Sequence, residues 1–301
     1  MKRHRRITLH PEVSLGEALA DLEKQGASSA PVVRDGEVIG HLALYGRGRE
    51  SRVASGEAVP GDLDAELRLA KKIQQQMLPR VAPNIPGLQV YGTLRSATDV
   101  GGDYWSVKYY KADNRATMKL ADVTGHGIAA ALLVPAVKFV SGGFYRGAES
   151  PEWVMERTNH VLVKETPVEI LVSMVYAWYK TDQRMLSVVN AGHSPVILVH
   201  NAEIIDIPPT GPVLGLVEVD YECVDFKLVP GDLFFSCSDG VTESRIGDHR
   251  FGEDSVKEIV LSHRKRPLAE IAAAVLTASS EPGSFRADDR SILLARASDT
   301  A

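Results

Sequence analysis

Seven consecutive residues, Ala121-Asp122-Val123-Thr124-Gly125-His126-Gly127, constrain the fold more than any other stretch. An apolar strand over 116–120 runs into an aspartate, and a wholly apolar helix starts at Ile128. A carboxylate at the mouth of a buried strand must have its charge matched, and a metal ion is a common match. Taken alone, a glycine-flanked aspartate also fits an ordinary turn. The pattern repeats, however, at three other strand ends. Asp103 follows Val100-Gly101-Gly102 and opens a strand. Asp239 follows the apolar run 233–238 and precedes Gly240. Asp288 and Asp289 stand directly before Ser291-Ile292-Leu293-Leu294. Gathered in one domain, these aspartates fit a hard-cation site, better suited to Mg²⁺ or Mn²⁺ than to zinc or copper. The neighbouring glycines let backbone approach closely.

Composition excludes several other classes. A net charge of -5 gives no polyelectrolyte signature, so no nucleic-acid surface is expected. The two cysteines, Cys223 and Cys237, lie in apolar strand contexts and read as small core residues. With no CxxC and no Cys/His cluster, a zinc site is not indicated. The start, residues 1–6, is basic, but no long apolar stretch follows it. Neither a signal peptide nor a membrane anchor is predicted, and a reducing cytoplasm is the expected location.

The 301 residues leave room for a main domain and an appendage. Residues 1–45 read as a small α/β unit. Ser14 and Glu17 form a capping box, and Leu15, Ala18, Leu19 and Leu22 give that helix its apolar face. A hairpin follows across Asp35-Gly36. Residues 46–61, rich in Gly, Ser, Arg and Glu, read as a linker. Residues 62–79 are a connecting helix stopped by Pro79, with Leu63, Leu67, Ala70, Ile73 and Met77 at helical spacing. That seam suits docking on the next domain, pairing in a homodimer, or a switch between a sensory and a catalytic unit. From 80 to 301 the texture is locally joined strands with two groups of helices. The pattern predicts an α+β layered domain, not a doubly wound parallel one. Its glycine-rich stretches open no βαβ unit and are not dinucleotide loops.

Helix, strand, Asp-Gly turn and strand in residues 1–45 resemble a single CBS repeat, a regulatory module that usually works in pairs. So short a unit buries too little surface to stand alone, which predicts a second copy from another chain; the alternative reading is a helix-hairpin ornament on the main domain. Family members often close the second strand with a Thr or Ser and an Asp that hold a nucleotide ribose. Leu42-Ala43-Leu44-Tyr45-Gly46 lacks both.

Over about 73–296 the chain resembles the bacterial SpoIIE-type branch of the metal-dependent protein serine/threonine phosphatases, the PPM superfamily. The matching stretches are Ile73-Gln74-Gln75-Gln76-Met77-Leu78-Pro79, Val100-Gly101-Gly102-Asp103-Tyr104, the seven residues from Ala121, Asn190-Ala191-Gly192-His193-Ser194-Pro195, Gly211-Pro212-Val213-Leu214-Gly215, Ser238-Asp239-Gly240-Val241-Thr242-Glu243, Phe251-Gly252-Glu253 and Asp288-Asp289. The resemblance implies an αββα sandwich of two antiparallel sheets with a two-metal centre at one end. It implies that Asp122 bridges two Mn²⁺ or Mg²⁺ ions and that the Val123 carbonyl adds a ligand. Asp239 and Asp288 would hold one ion, and Asp103 the other. It further implies a water-attack phosphatase acting on a phosphorylated regulatory protein, an anti-sigma-factor antagonist, gated by the amino-terminal unit.

One departure concerns metal. The family usually has a second aspartate three residues after the first, where this chain has Ser106. The expectation is weaker metal affinity on that side, and the alternative reading is a non-catalytic, partner-binding phosphatase shape. His126 is weighed as a general acid against a turn-stabilising role, and His193 is read as structural. Arg290 is expected to pair with a nearby carboxylate rather than with phosphate. Trp105, Trp153 and Trp178 are read as core.

Overall fold

The computed structural model describes residues 22, 24, 29–34, 37–45, 50–54, 63–79, 81–125, 127–144, 148–247, 249–280 and 288–299. The chain divides into two compact units, Met1–Glu66 and Leu67–Ala301. The first contains the strands β1 (Ser29–Arg34), β2 (Glu37–Tyr45) and β3 (Glu50–Ala54), paired antiparallel in the order β1-β2-β3. The first two form the expected hairpin, with Arg34 opposite Glu37. The third falls inside the stretch read as a linker. Its Glu-Ser-Arg-Val-Ala sequence has too little apolar alternation to announce a strand, and pairing to the free edge of β2 supplies the missing hydrogen bonds. Leu22 and Lys24 are helical, whereas the capping box at Ser14 lies outside the described residues.

Helix α1 (Leu63–Met77) follows. The strands of the second unit are β4 (Leu88–Arg95), β5 (Asp103–Tyr110), β6 (Arg115–Val123), β7 (Val172–Lys180), β8 (Met185–Ala191), β9 (Val196–His200), β10 (Glu203–Asp206), β11 (Val224–Lys227), β12 (Leu233–Cys237), β13 (Arg245–Ile246), β14 (His249–Arg250) and β15 (Arg290–Ala297). One sheet runs β10-β9-β12-β15-β4 and the other β11-β8-β7-β6-β5, with every pairing antiparallel. The helices are α2 (Ile128–Gly143), α3 (Pro151–Glu165), the one-turn α4 (Asp239–Thr242), α5 (Gly252–His263) and α6 (Leu268–Ala278).

Three apolar layers hold these elements together, and the period-two alternation of the strands assigns each residue to a layer. Between the sheets, Trp105, Val107, Met118, Leu120, Val175, Tyr179, Phe234 and Leu293 form one core. The alternate residues Tyr104, Ala121, Val123, Met174, Tyr176 and Trp178 face α2 and α3, meeting Val134, Val137, Val154 and Met155. Phe235, Cys237, Ile292 and Leu294 face α5 and α6. This is the two-sheet, four-layer sandwich the sequence predicts. Helix α3 starts where Ser150 Oγ accepts from the Trp153 amide at 3.3 Å, with Pro151 in the first turn. The β5–β6 connection closes on Asn114 in the left-handed region.

Candidate functional site

The sheet registers bring the expected aspartates to one end of the sandwich. Asp103 opens β5 and sits directly opposite Asp122 near the end of β6. Both side chains belong to the inter-sheet face, because their neighbours Tyr104 and Ala121 belong to the helix-facing layer. On the other sheet, β12 ends at Cys237 and β15 begins just after Asp289, and Cys237 pairs with Ile292. Asp239 and Asp288 are therefore delivered side by side. Ser238 joins the two sheets. Its hydroxyl donates to Asp103 Oδ2 at 2.6 Å and accepts from the Ser291 amide at 3.0 Å.

Glycines make the approach possible. A Cβ on Gly102 would stand 2.8 Å from the Val123 carbonyl oxygen and 3.6 Å from Asp122 Oδ1. A Cβ on Gly240 would stand 2.0 Å from the Asp289 carbonyl oxygen. Either side chain would obstruct the floor of the cluster.

The electrostatics are those of an unneutralised acidic cluster. Asp103 is 2% exposed. Burial raises its pKa most, its bonds with Ser238 and Ser291 oppose that, and the charges of Asp289 and Asp239 add to it. Asp122, half-buried, is raised by burial and then by the charges of Asp103, Asp239 and Asp288. Burial and Asp288 also raise Asp239. The charges of the other three carboxyl groups thus all reach Asp122. Among the described residues no three acidic, histidine or cysteine side chains converge on a single point. Asp103 is turned inward to Ser238, whereas Asp239 and Asp288 are exposed. The donor set, carboxylates with a backbone carbonyl at Val123, fits hard divalent cations, and a cation would reverse the charge repulsion that raises these groups.

Several residues that support the cluster were given no role of their own in the sequence reading. Asp289 is 6% exposed; its Oδ1 accepts from the Ala97 amide at 2.8 Å and its Oδ2 from the Asp103 amide at 3.4 Å. It organises the loop before Asp103, and a Cβ on Gly101 would stand 1.8 Å from its carboxylate. The Gln74 carboxamide on α1 grips the same loop. Its Nε2 donates to the Gly101 carbonyl at 2.6 Å, and its Oε1 accepts the Gly101 amide at 3.1 Å. A polar residue within an apolar helical stripe was the available signal.

Ser106 calls for a correction. It shares the helix-facing layer with Tyr104, across the sheet from Asp103, and is paired in register with Lys119. Three residues along a strand reverse the face, so position 106 contributes no ligand to the carboxylate cluster. His126 lies outside the described residues. His193 is 2% exposed; its amide donates to Asn190 Oδ1 at 2.8 Å, and burial lowers its ring pKa to about 4 against a smaller opposing effect of the Cys237 carbonyl. Arg290 donates to the Ser279 carbonyl at 3.1 Å and to Ser280 Oγ at 2.5 Å, at the end of α6. The guanidinium thus braces the end of α6. Trp105 and Trp178 are buried and Trp153 is half-buried.

Comparison with known proteins agrees with this fold. Residues 112–298 match the family model described as Stage II sporulation protein E (SpoIIE). Phosphoserine phosphatase RsbU of Bacillus subtilis is 26% identical over 205 residues, which cover 67% of this chain and 61% of RsbU. The chain therefore spans about three fifths of that relative's length. Among solved structures, the SiaA-PP2C domain of Pseudomonas aeruginosa matches with a TM-score of 0.70 at 20% identity, covering 78% of this chain and 97% of that one. The catalytic domain of the serine/threonine phosphatase PstP, solved with two manganese ions, matches with a TM-score of 0.51 at 16% identity, covering 70% and 100%. From β6 through the last strand, in sequence as in fold, the chain belongs to the SpoIIE family.

Proposed function

We propose that the chain is a metal-dependent protein serine/threonine phosphatase. The observation that carries this reading is the convergence of Asp103, Asp122, Asp239 and Asp288 at one end of the sandwich, each of the first three raised by burial and by its neighbours' charge. Asp122, on which the charges of the other three act, would bridge two ions, with the Val123 carbonyl as a further ligand. Asp239 and Asp288 would hold one ion and Asp103 the other. Mn²⁺ or Mg²⁺ bound there supplies a water acidic enough to attack near neutral pH and offsets charge on the phosphoryl oxygens. Ser238 and Asp289 fix Asp103, and burial of the cluster keeps its field strong. The substrate is a phosphorylated regulatory protein of the anti-sigma-factor-antagonist kind, in line with the phosphoserine phosphatase activity in the names of RsbU and RsbP. The competing reading, a partner-binding module with a degraded centre, rested on Ser106. That residue faces the helices.

Regulation runs from a CBS-like unit in residues 1–45 through α1, which also offers a seam for a homodimer in the cytoplasm. Its support is the Gln74 clamp: a shift of α1 pulls on Gly101, two residues before Asp103. Hydrolysis of p-nitrophenyl phosphate and of a phosphoserine protein at millimolar manganese tests the enzyme reading. Turnover is expected to require manganese and to vanish in Asp122→Asn and Asp239→Asn. No turnover together with no calorimetric manganese binding would sink the reading.

A further inference from the structure

The row that holds Asp103 and Asp122 does not end with them. The next strand, β7, places Ser173 directly opposite Asp122. Directly opposed residues of an antiparallel pair project to the same face with Cβ atoms about 4.5–5.5 Å apart. Ser173 therefore extends the carboxylate row by one strand on the inter-sheet face, where Val175 and Tyr179 continue its side of β7. One strand further, pairing of Met174 with Ala191 puts Gly192 beside Ser173. Gly192 has φ +66°, and a Cβ there would stand 2.5 Å from Val213 Cγ1. With no side chain at 192, the ring of the next residue fills the space. His193 Nδ1 lies 2.8 Å from Ser173 Oγ.

Asp122, Asp239, Ser173 and His193 line one cleft of about 240 Å³, with Thr124 and Leu171 on its rim. The imidazole is nine-tenths buried, and its Nε2 has no hydrogen-bond partner. Asn190 holds its backbone, accepting the His193 amide and donating to the Ile207 carbonyl at 3.0 Å. A buried N–H without an acceptor is the rarer defect, so the ring proton belongs on Nδ1, where it donates to Ser173 Oγ. The Cys237 carbonyl is the competing acceptor on the Nε2 side of the ring, but its approach leaves Nε2 without a hydrogen bond of normal geometry. Ser173 is then left with its own hydroxyl hydrogen free to donate into the cleft.

We propose that Ser173 binds a phosphoryl oxygen of the substrate beside the bridging carboxylate Asp122, and that His193 is the positioning residue that fixes its hydroxyl as a donor. This rests on the phosphatase reading above and adds a phosphoryl-binding residue on the β7 side. A donor aimed at phosphoryl oxygen is the expected chemistry beside carboxylates that can only accept, and the other hydroxyls lining the cleft, Thr124 and Ser194, donate to the Glu169 carbonyl and to Glu253 Oε1.

Inorganic phosphate, titrated calorimetrically into the manganese-loaded protein, is the probe. Ser173→Ala is expected to weaken phosphate binding about tenfold and to lower kcat/KM for p-nitrophenyl phosphate by a similar factor, with manganese affinity unchanged. Ser173→Thr keeps the hydroxyl and is expected to retain both. His193→Ala should reproduce Ser173→Ala, and the double variant should add little, as coupled partners do. Nitrogen NMR of His193 is expected to place its proton on Nδ1. Unchanged phosphate affinity in Ser173→Ala overturns the assignment. So does a parallel loss of manganese affinity, or a proton on Nε2. Should His193→Ala fail to fold, the two Ser173 variants decide. Wild-type protein that binds phosphate without turning over any substrate would refute the phosphatase reading and leave the phosphate site standing.

Discussion

Strands β5 and β6 each contribute to two clusters of like charge, and the two clusters resolve their repulsion in opposite ways. At the sheet end, Asp103 and Asp122 meet Asp239 and Asp288 on the inter-sheet face. Three residues back along β6, on the helix-facing side, Lys119 is 5% exposed beside Lys108 and Lys138. Its Nζ donates to Ser141 Oγ at 3.0 Å and lies 4.9 Å from the Tyr176 ring centre, and Tyr104 closes on the same Ser141. The acidic cluster opens on a cleft, so an external cation can neutralise it. The basic cluster is roofed by α2, so Lys119 neutralises itself: burial, then Lys108 and Lys138, lower its pKa to about 7. Like charges gathered in an open site invite a ligand, whereas in a closed one they shed protons.

The largest effects fall on the open cluster. Asp122→Asn is expected to lower manganese-dependent turnover by about three orders of magnitude, measured on p-nitrophenyl phosphate. The same change should stabilise the metal-free protein, by the order of 1 kcal/mol, since one carboxylate fewer has to take up a proton on folding. The sign over pH follows from linkage. Folded carboxyls with raised pKa values hold protons that the unfolded chain has released, so metal-free stability falls as pH rises above about 4. Manganese should therefore raise the melting temperature more at pH 8 than at pH 6. An equal rise at both would break the contrast between the clusters.

The closed cluster has the opposite slope. Between pH about 7 and 10 the unfolded chain keeps the lysine proton that folded Lys119 has lost, so stability contributed by this site rises with pH. Above about 10, Tyr104 and Tyr176, both pushed upward by burial, oppose it. Lys119→Met is expected to stabilise the protein by about 1–3 kcal/mol at pH 7 and to flatten this rise in denaturant titrations. Loss of stability in Lys119→Met would mean that the ammonium is satisfied where it lies.

A smaller effect belongs to Gln74, which lies outside both clusters and acts on the open one through Gly101. Gln74→Ala removes two buried hydrogen bonds and is expected to cost about 1–3 kcal/mol. Manganese affinity should fall about tenfold, as for a residue that orients a ligand. Calorimetry showing full affinity would separate α1 from the metal centre.

The two clusters were not equally legible. A single glycine-flanked aspartate at a strand end also fits a turn, but four of them at the ends of apolar strands are legible as a set, and the sheet registers bring those strand ends to one end of the sandwich. The sandwich was legible too, since apolar alternation marks its long strands. What supports Asp103 was hidden. Asp289 and Ser238 sit next to residues already chosen, and only the cross-sheet register shows that they act on a strand more than 130 positions away. Lys119 looks like an ordinary exposed lysine in an alternating strand until α2 is laid over it. Strand β3 stayed hidden because an edge strand can form from polar sequence once a neighbour offers its hydrogen bonds.

Position 106 joins these threads, with the smallest expected change. Read from spacing, it is the missing metal ligand; in the fold it is 7% exposed and faces Lys119 on the opposite strand. An aspartate there would meet the closed cluster, not the open one. Ser106→Asp is therefore expected to leave manganese affinity unchanged. Its effect on stability at pH 7 should stay within about 1 kcal/mol, because the desolvation of a buried pair nearly cancels its attraction. The pH dependence should still change: a facing carboxylate raises the pKa of Lys119, so the rise in stability between pH 7 and 10 should shrink. A gain in manganese affinity would return position 106 to the metal centre and overturn the assignment of strand faces that separates the two clusters.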